Sequence, residues 1–289
     1  HSFSILLAYT FGKFFIDILF TNKNKIDFFE KILIGYILFG FCILIINFIL
    51  PISPIINLFL IILSLFYILC VDQNNIKKLF TFILISSIPV YFLISYSGIN
   101  TPDSFLYHLP YTQIINEQKI IFGLSNLHFR FGTISLQQYI DAGNINFYYK
   151  TGLIISSASI FSVISIKILT HLYNHLKKKY FLKKNFLILF LFLLFVLSLR
   201  FNRYSGITSF YFIYLVILIF QKKINQFNKE DYFKISVITF GIFALKPFYF
   251  FLIIPLFFIF IFNKDLKLLS KNNIVVFFLF SIWFIKNLI

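Results

Sequence analysis

The sequence predicts an all-α, polytopic transmembrane helical bundle carrying one large loop of interfacial helices. Three observations predict it. The 289-residue chain is 60% hydrophobic and only 12% charged, where a soluble domain carries about 25% charged residues. Apolar runs of roughly 18 residues or more recur along the chain, the length that crosses a ~30 Å hydrocarbon core. No stretch alternates as a barrel strand does. Helices, which satisfy their own backbone hydrogen bonds in lipid, are therefore the spanning elements.

The spans follow in order as residues 3–20, 32–50, 55–71, 79–97, 151–173, 185–199 and 204–220. The first is the weakest, because Lys13 and Asp17 interrupt it. Residues 235–262 are too long for one ordinary span, and 274–289 form the last. Lys177, Lys178, Lys179, Lys183 and Lys184 follow the fifth span, and Lys222, Lys223, Lys229 and Lys234 follow the seventh. Basic loops face the cytoplasm, and Lys77 and Lys78 before the fourth span agree. The loop 98–150 then faces the other side. A single span over 235–262 would carry Lys264, Lys267 and Lys271 outside, against that rule. Pro247 cannot continue a helical ladder and disfavours helix in Lys246 before it. Two half-spans meeting near Lys246 are expected instead.

The loop 98–150 is too long and too apolar for a plain linker, and its short helices are expected at the interface. Thr101-Pro102-Asp103 reads as a helix start, with Pro110 ending or kinking that helix near Leu109. A second piece fits Tyr111 to Lys119. Thr133 is placed to cap a third, from Ile134 to Ala142, ending at Gly143. No internal repeat, low-complexity linker or soluble domain is visible.

The net charge of +16 invites a nucleic-acid partner, but the cations cluster between apolar runs, where membrane topology explains them. The 45 Phe and 17 Tyr fit an AT-rich genome, so no aromatic stripe argues for a ligand. Cys42 and Cys70 lie within apolar runs and read as inert thiols, with no disulfide. The chain starts at His1, contains no Met and reaches Ile289 within an apolar run. It reads as part of a longer protein, without a visible cleavable signal peptide.

Chemistry concentrates in the loop. Asp103 stands a few residues past a span, where a carboxylate can take the proton of an acceptor hydroxyl; a helix-capping acid is the rival reading. Tyr107 is one helical turn from Asp103 and reads as an interfacial anchor. His108 either donates to a phosphate, orients an acid or anchors the helix. His128 and Arg130 form the other polar concentration. Arg130 suits a phosphate through its planar fork, or snorkels to headgroups. Lys246, inside an apolar region, marks a functional cavity unless its turn meets bulk water. Arg200 and Arg203 read as boundary residues, and Glu117 and Asp141 as solvated helix residues. Asp103, His108, Glu117 and His128 match no metal-ligand spacing, leaving a divalent cation possible but without a motif. No glycine-rich phosphate cradle near a Lys-Ser/Thr pair is visible, so the sequence carries no nucleotide-binding loop signature.

Thr101-Pro102-Asp103 to Tyr107-His108-Leu109-Pro110, then Phe129-Arg130-Phe131-Gly132, Ala244-Leu245-Lys246-Pro247 and Trp283-Phe284-Ile285-Lys286-Asn287 occur in this order. The series resembles the GT-C superfamily of polytopic membrane glycosyltransferases, in a bacterial branch, from about Leu79 to the C-terminus. The resemblance implies residues 1–78 as N-terminal transmembrane helices and 79–289 as a GT-C-like core. It implies Asp103 as the catalytic base, a link of Lys246 to the donor site, and a polyprenyl-phosphate-linked sugar as donor. The expected protein is an inverting glycosyltransferase of the bacterial inner membrane, with Tyr107, His108, His128, Arg130 and Lys246 around the substrate. The alternatives are a transporter or flippase for a lipid-linked glycan, which the missing repeat disfavours, and an inactive scaffold.

Overall fold

The computed structural model describes residues 1–20, 26–96, 104–126, 134–145, 152–176, 206–221, 227–262 and 271–288. Their elements are all helical: α1 Ser2–Leu19, α2 Phe28–Ile49, α3 Pro54–Val71, α4 Ile76–Tyr96, α5 Leu109–Glu117, α6 Leu136–Ile145, α7 Gly152–Leu176, α8 Gly206–Gln221, α9 Lys229–Leu245, α10 Ile253–Phe262 and α11 Lys271–Leu288. The expected span 185–199 and the Lys177–Lys184 cluster lie outside the described residues.

Four described helices are long and apolar enough to cross a membrane, α1 to α4, the last together with the turn before it. Shorter apolar helices recur in α7, α8, α11 and the segment Pro247–Phe262. Apolar side chains stand exposed along α3, α4 and α10, among them Phe59, Phe66, Phe80, Phe92 and Phe258. Exposed apolar surface on this scale is stable against lipid and not against water. The chain is a membrane protein of transmembrane helices.

The helices align so that the bundle has two ends. α1 and α2 run antiparallel, with Gly12 against Lys31 and Gly35 against Ala8. Lys167, late in α7, meets Asp27 and Glu30 at the start of α2. Lys234, early in α9, meets the same Glu30. Lys78 lies over the Phe28 ring at 4.9 Å. These contacts define a basic end. At the opposite end the chain connects α2 to α3 and carries α5 and α6, and it is called the loop end here.

α2 is the hub, buried along most of its length and packed against α1, α6, α7, α9 and α11. The weak first span is a full helix because its charges pair. Lys13 Nζ reaches Asp17 Oδ2 at 2.9 Å and Asp72 Oδ1 at 3.7 Å, and the Tyr67 hydroxyl donates to Asp17.

The break and the turn at Lys246 are present, but the first arm is longer than a half-span. α9 ends at Leu245, Lys246 is extended, and a 3-10 helix Pro247–Leu252 leads into α10. Tyr232 and Phe260 meet with ring centroids 6.1 Å apart, so α10 folds back along α9. α11 then runs parallel to α9, pairing Phe240 with Phe277 and Phe243 with Trp283. The expected start at Ile235 was late. An Asn228/Asp231 capping box opens the helix at Lys229, giving 17 residues and about 25 Å of rise. Lys229 and Lys234 therefore belong to a helix, and Lys234 is buried.

Candidate functional site

The loop end is sewn together by side chains from distant segments. Asn47, near the end of α2, donates through Nδ2 to the carbonyls of Ile115 and Gln118, at 3.2 and 2.9 Å. Backbone bonds from Ile52 to Ile115 and from Ile120 to Asn47 complete the seam. α5 is thereby fixed on the connection between α2 and α3.

α5 begins where the sequence expects a break. A π-helical turn Ser104–His108 gives way to α5 at Leu109, with Pro110 in its first turn, where its missing N–H costs nothing. The rings of Tyr107 and His108 lie 4.0 Å apart, tilted at 47°. Thr112 Oγ1 donates to the His108 carbonyl at 2.8 Å. Both candidates are thus half-buried on the element that enters α5. Asp103, His128 and Arg130 lie outside the described residues.

α6 departs from expectation. It is enclosed by α2, α5, α7 and α9, although its sequence is polar. Ser135 and Gln138 cap its start reciprocally: the Gln137 amide donates to Ser135 Oγ, and the Ser135 amide to Gln138 Oε1. Thr133, the expected cap, lies outside the described residues. The helix continues past Gly143 to Ile145, since Gly143 is a packing residue. A Cβ there would sit 2.6 Å from the Phe39 ring. Asp141, read as solvated, is fully buried. It accepts a hydrogen bond from Ser156 Oγ of α7. Gln137, Gln138, Tyr139 and Asn144 are buried with it. Glu117 is exposed, as expected, and accepts from Gln113 Nε2.

The start of α6 meets both the helix break and the end of α11. Ser135 Oγ donates to the Leu245 carbonyl at 2.7 Å, next to Lys246. Asn287 Oδ1 accepts from the Ile134 amide at 2.8 Å, and Trp283 Nε1 donates to the Ile134 carbonyl at 3.1 Å. Trp283 and Asn287 are four residues apart and share a face. Lys286, on the same turn, lies over the Tyr111 ring of α5, 5.5 Å from its centroid. The structure thus brings Lys246 beside the described parts of the loop, with Lys246 itself exposed. Sequence reasoning noticed Trp283–Asn287 as a motif but gave Lys286 no role; a lysine within an apolar run was the available signal.

Among the described residues, no group of three His, Cys, Asp or Glu side chains is placed to hold a metal ion. The model of one protein family, described as a domain of unknown function (DUF8201), matches residues 2–289. No curated protein and no solved structure matches the chain.

Proposed function

The chain belongs to the DUF8201 family, and we propose that it is a polytopic membrane glycosyltransferase of the GT-C type in the bacterial inner membrane. It moves a sugar from a polyprenyl phosphate to an envelope glycan, lipid or protein acceptor on the non-cytoplasmic face. One observation supports this reading above the others. The Ser135–Leu245 hydrogen bond joins the loop that contains Asp103 and Arg130 in sequence to the helix break that exposes Lys246. The helix break at Lys246 thereby meets the described part of the loop in whose sequence the candidate base and Arg130 stand.

The chemistry is a single inverting displacement. The acceptor oxygen attacks the anomeric carbon, and Asp103 takes its proton. The bond from that carbon to the phosphate oxygen breaks, and the electron pair leaves with the phosphate. Arg130 and Lys246 neutralise the departing charge. The phosphate leaves without a general acid, so one carboxylate suffices.

The test is Asp103→Asn. The amide keeps the shape and the capping ability of the acid but cannot accept the proton. Transfer should fall about 10²–10⁴-fold, the usual contribution of a general base, while donor binding stays near wild type. Ordinary turnover in Asp103→Asn removes Asp103 from the mechanism. Wild-type protein that binds and translocates a lipid-linked glycan without transferring sugar makes the chain a transporter.

A further inference from the structure

Three lysines of the described helices are almost completely buried: Lys13 and Lys234 at 7% exposure and Lys286 at 6%. Two of them show how this fold normally satisfies such a charge. Lys13 reaches Asp17 and Asp72, and Lys234 reaches Glu30 and Asp231. Lys286 forms no ion pair among the described residues, and its ammonium faces the Tyr111 ring instead. A cation–π contact offsets only part of the cost of taking an ammonium out of water. The first two lysines lie toward the basic end. Lys286 lies at the loop end, in the last turn of α11, the turn whose Trp283 and Asn287 hydrogen-bond the backbone of Ile134.

We propose that Lys286 is an anion-binding residue that holds a phosphate group at the loop end of the bundle. A buried cation with no carboxylate beside it among the described residues is destabilising, and an anion from outside the chain would offset it. Phosphate fits because a lysine is a compact point charge for it. Lys286 presents its ammonium where α5 and α11 meet, one element away from the Lys246 break. The proposal rests on the glycosyltransferase reading only for the source of the phosphate, the lipid-linked donor. A phospholipid headgroup or free phosphate carries the same chemistry.

The rival role is structural, because a cation in the last turn of a helix also favours the negative end of its dipole. Lys286→Met separates the two roles. It keeps most of the volume and removes the charge, so the variant should fold. Purified full chain in neutral detergent is compared, wild type against Lys286→Met and Lys286→Arg. Thermal unfolding is measured alone and with four probes: a short polyprenyl monophosphate, the matching polyprenol, an anionic phospholipid, and inorganic phosphate. An anion-binding role predicts that Lys286→Met unfolds at a higher temperature than wild type without probe. It also predicts that wild type binds one phosphate-bearing probe about tenfold or more tightly than the polyprenol. Lys286→Met loses that preference, and Lys286→Arg keeps part of it. The probe that shows it identifies the source. A Lys286→Met protein that is less stable, yet binds every phosphate probe as wild type does, overturns the proposal. Binding is read without catalysis, so a chain that transfers no sugar still tests Lys286. An active enzyme indifferent to Lys286 loses this inference and keeps the reaction.

Discussion

Glu30 is held by two lysines at once. Lys167 Nζ lies 3.0 Å and Lys234 Nζ 3.1 Å from the same Oε1, and Glu30 also closes the capping box of α2 with Asp27. Lys167 has further partners in Asp27 at 2.8 Å and the Tyr214 hydroxyl at 3.1 Å; Lys234 has Asp231 at 3.1 Å. The arrangement is asymmetric, and the asymmetry is testable. Glu30→Gln leaves two cations near a buried amide and should cost about 3–5 kcal/mol, as removing one partner of a buried pair does. Lys234→Met removes one cation, while Lys167 still neutralises Glu30, so its cost should be clearly smaller. Thermal or denaturant unfolding of both variants in detergent gives the order. Equal losses would mean that Lys167 does not by itself neutralise Glu30. Lys234 was misplaced in sequence because a lysine near an apolar run counts as loop under the charge rule. The Asn228-x-x-Asp231 cap that puts it on a helix was readable in the same stretch.

α1 and α2 approach more closely than any side chain allows. A Cβ on Gly35 would stand 1.7 Å from the Ala8 carbonyl oxygen, and one on Gly12 1.8 Å from the Lys31 carbonyl oxygen. Both obstacles are backbone, so only separation of the helices relieves them, and small residues at such crossings are what lets two helices in lipid pack closely. Gly35→Ala and Gly12→Ala should each destabilise at or beyond the upper end of the roughly 1–3 kcal/mol typical of overpacking. Gly143→Ala should cost less, because its obstacle is the tip of the Phe39 ring, which can turn. Unfolding midpoints of the three variants check the ranking, and a Gly143→Ala loss equal to that of Gly35→Ala would contradict the close-packing account. The spanning helices were legible because lipid demands long apolar runs, and the break at Lys246 because proline forbids continuation. α6 was not. Its Gln137, Gln138, Asp141 and Asn144 carry the composition of a solvated helix, and only its enclosure by α2, α5, α7 and α9 buries them. Gly143 was read as a stop for a related reason: glycine ends helices locally, but here a neighbouring phenylalanine requires it. At the site, the structure puts Tyr107, His108 and Lys246 toward one end of the bundle, while Lys286 drew attention only because the Tyr111 ring, and no carboxylate among the described residues, stands beside it.

The whole molecule turns on which end faces which side of the membrane, since the proposed chemistry needs the loop end outside. The fold supplies the two markers. Gln73 lies in the exposed 3-10 turn between α3 and α4 at the basic end, next to Lys77 and Lys78. Gln118 lies just after α5 at the loop end, exposed, with its carbonyl held by Asn47. Neither side chain fills the core, so a cysteine at either place should leave the bundle intact. The two native thiols must go first: Cys70 is exposed and would react, and Cys42 is partly buried in α2. In that background, Gln118→Cys should react with a membrane-impermeant maleimide on intact cells. Gln73→Cys should react only after the membrane is opened. The expectation follows from lysines gathered at the Gln73 end, since positive loops stay on the cytoplasmic side. The reverse pattern would put the loop end in the cytoplasm, where a donor presented on the outer face cannot reach Lys246, and the proposed reaction would fall with the orientation. Labelling of both positions from outside would break the two-ended bundle itself, because no single membrane could then lie between α5 and the turn after α3.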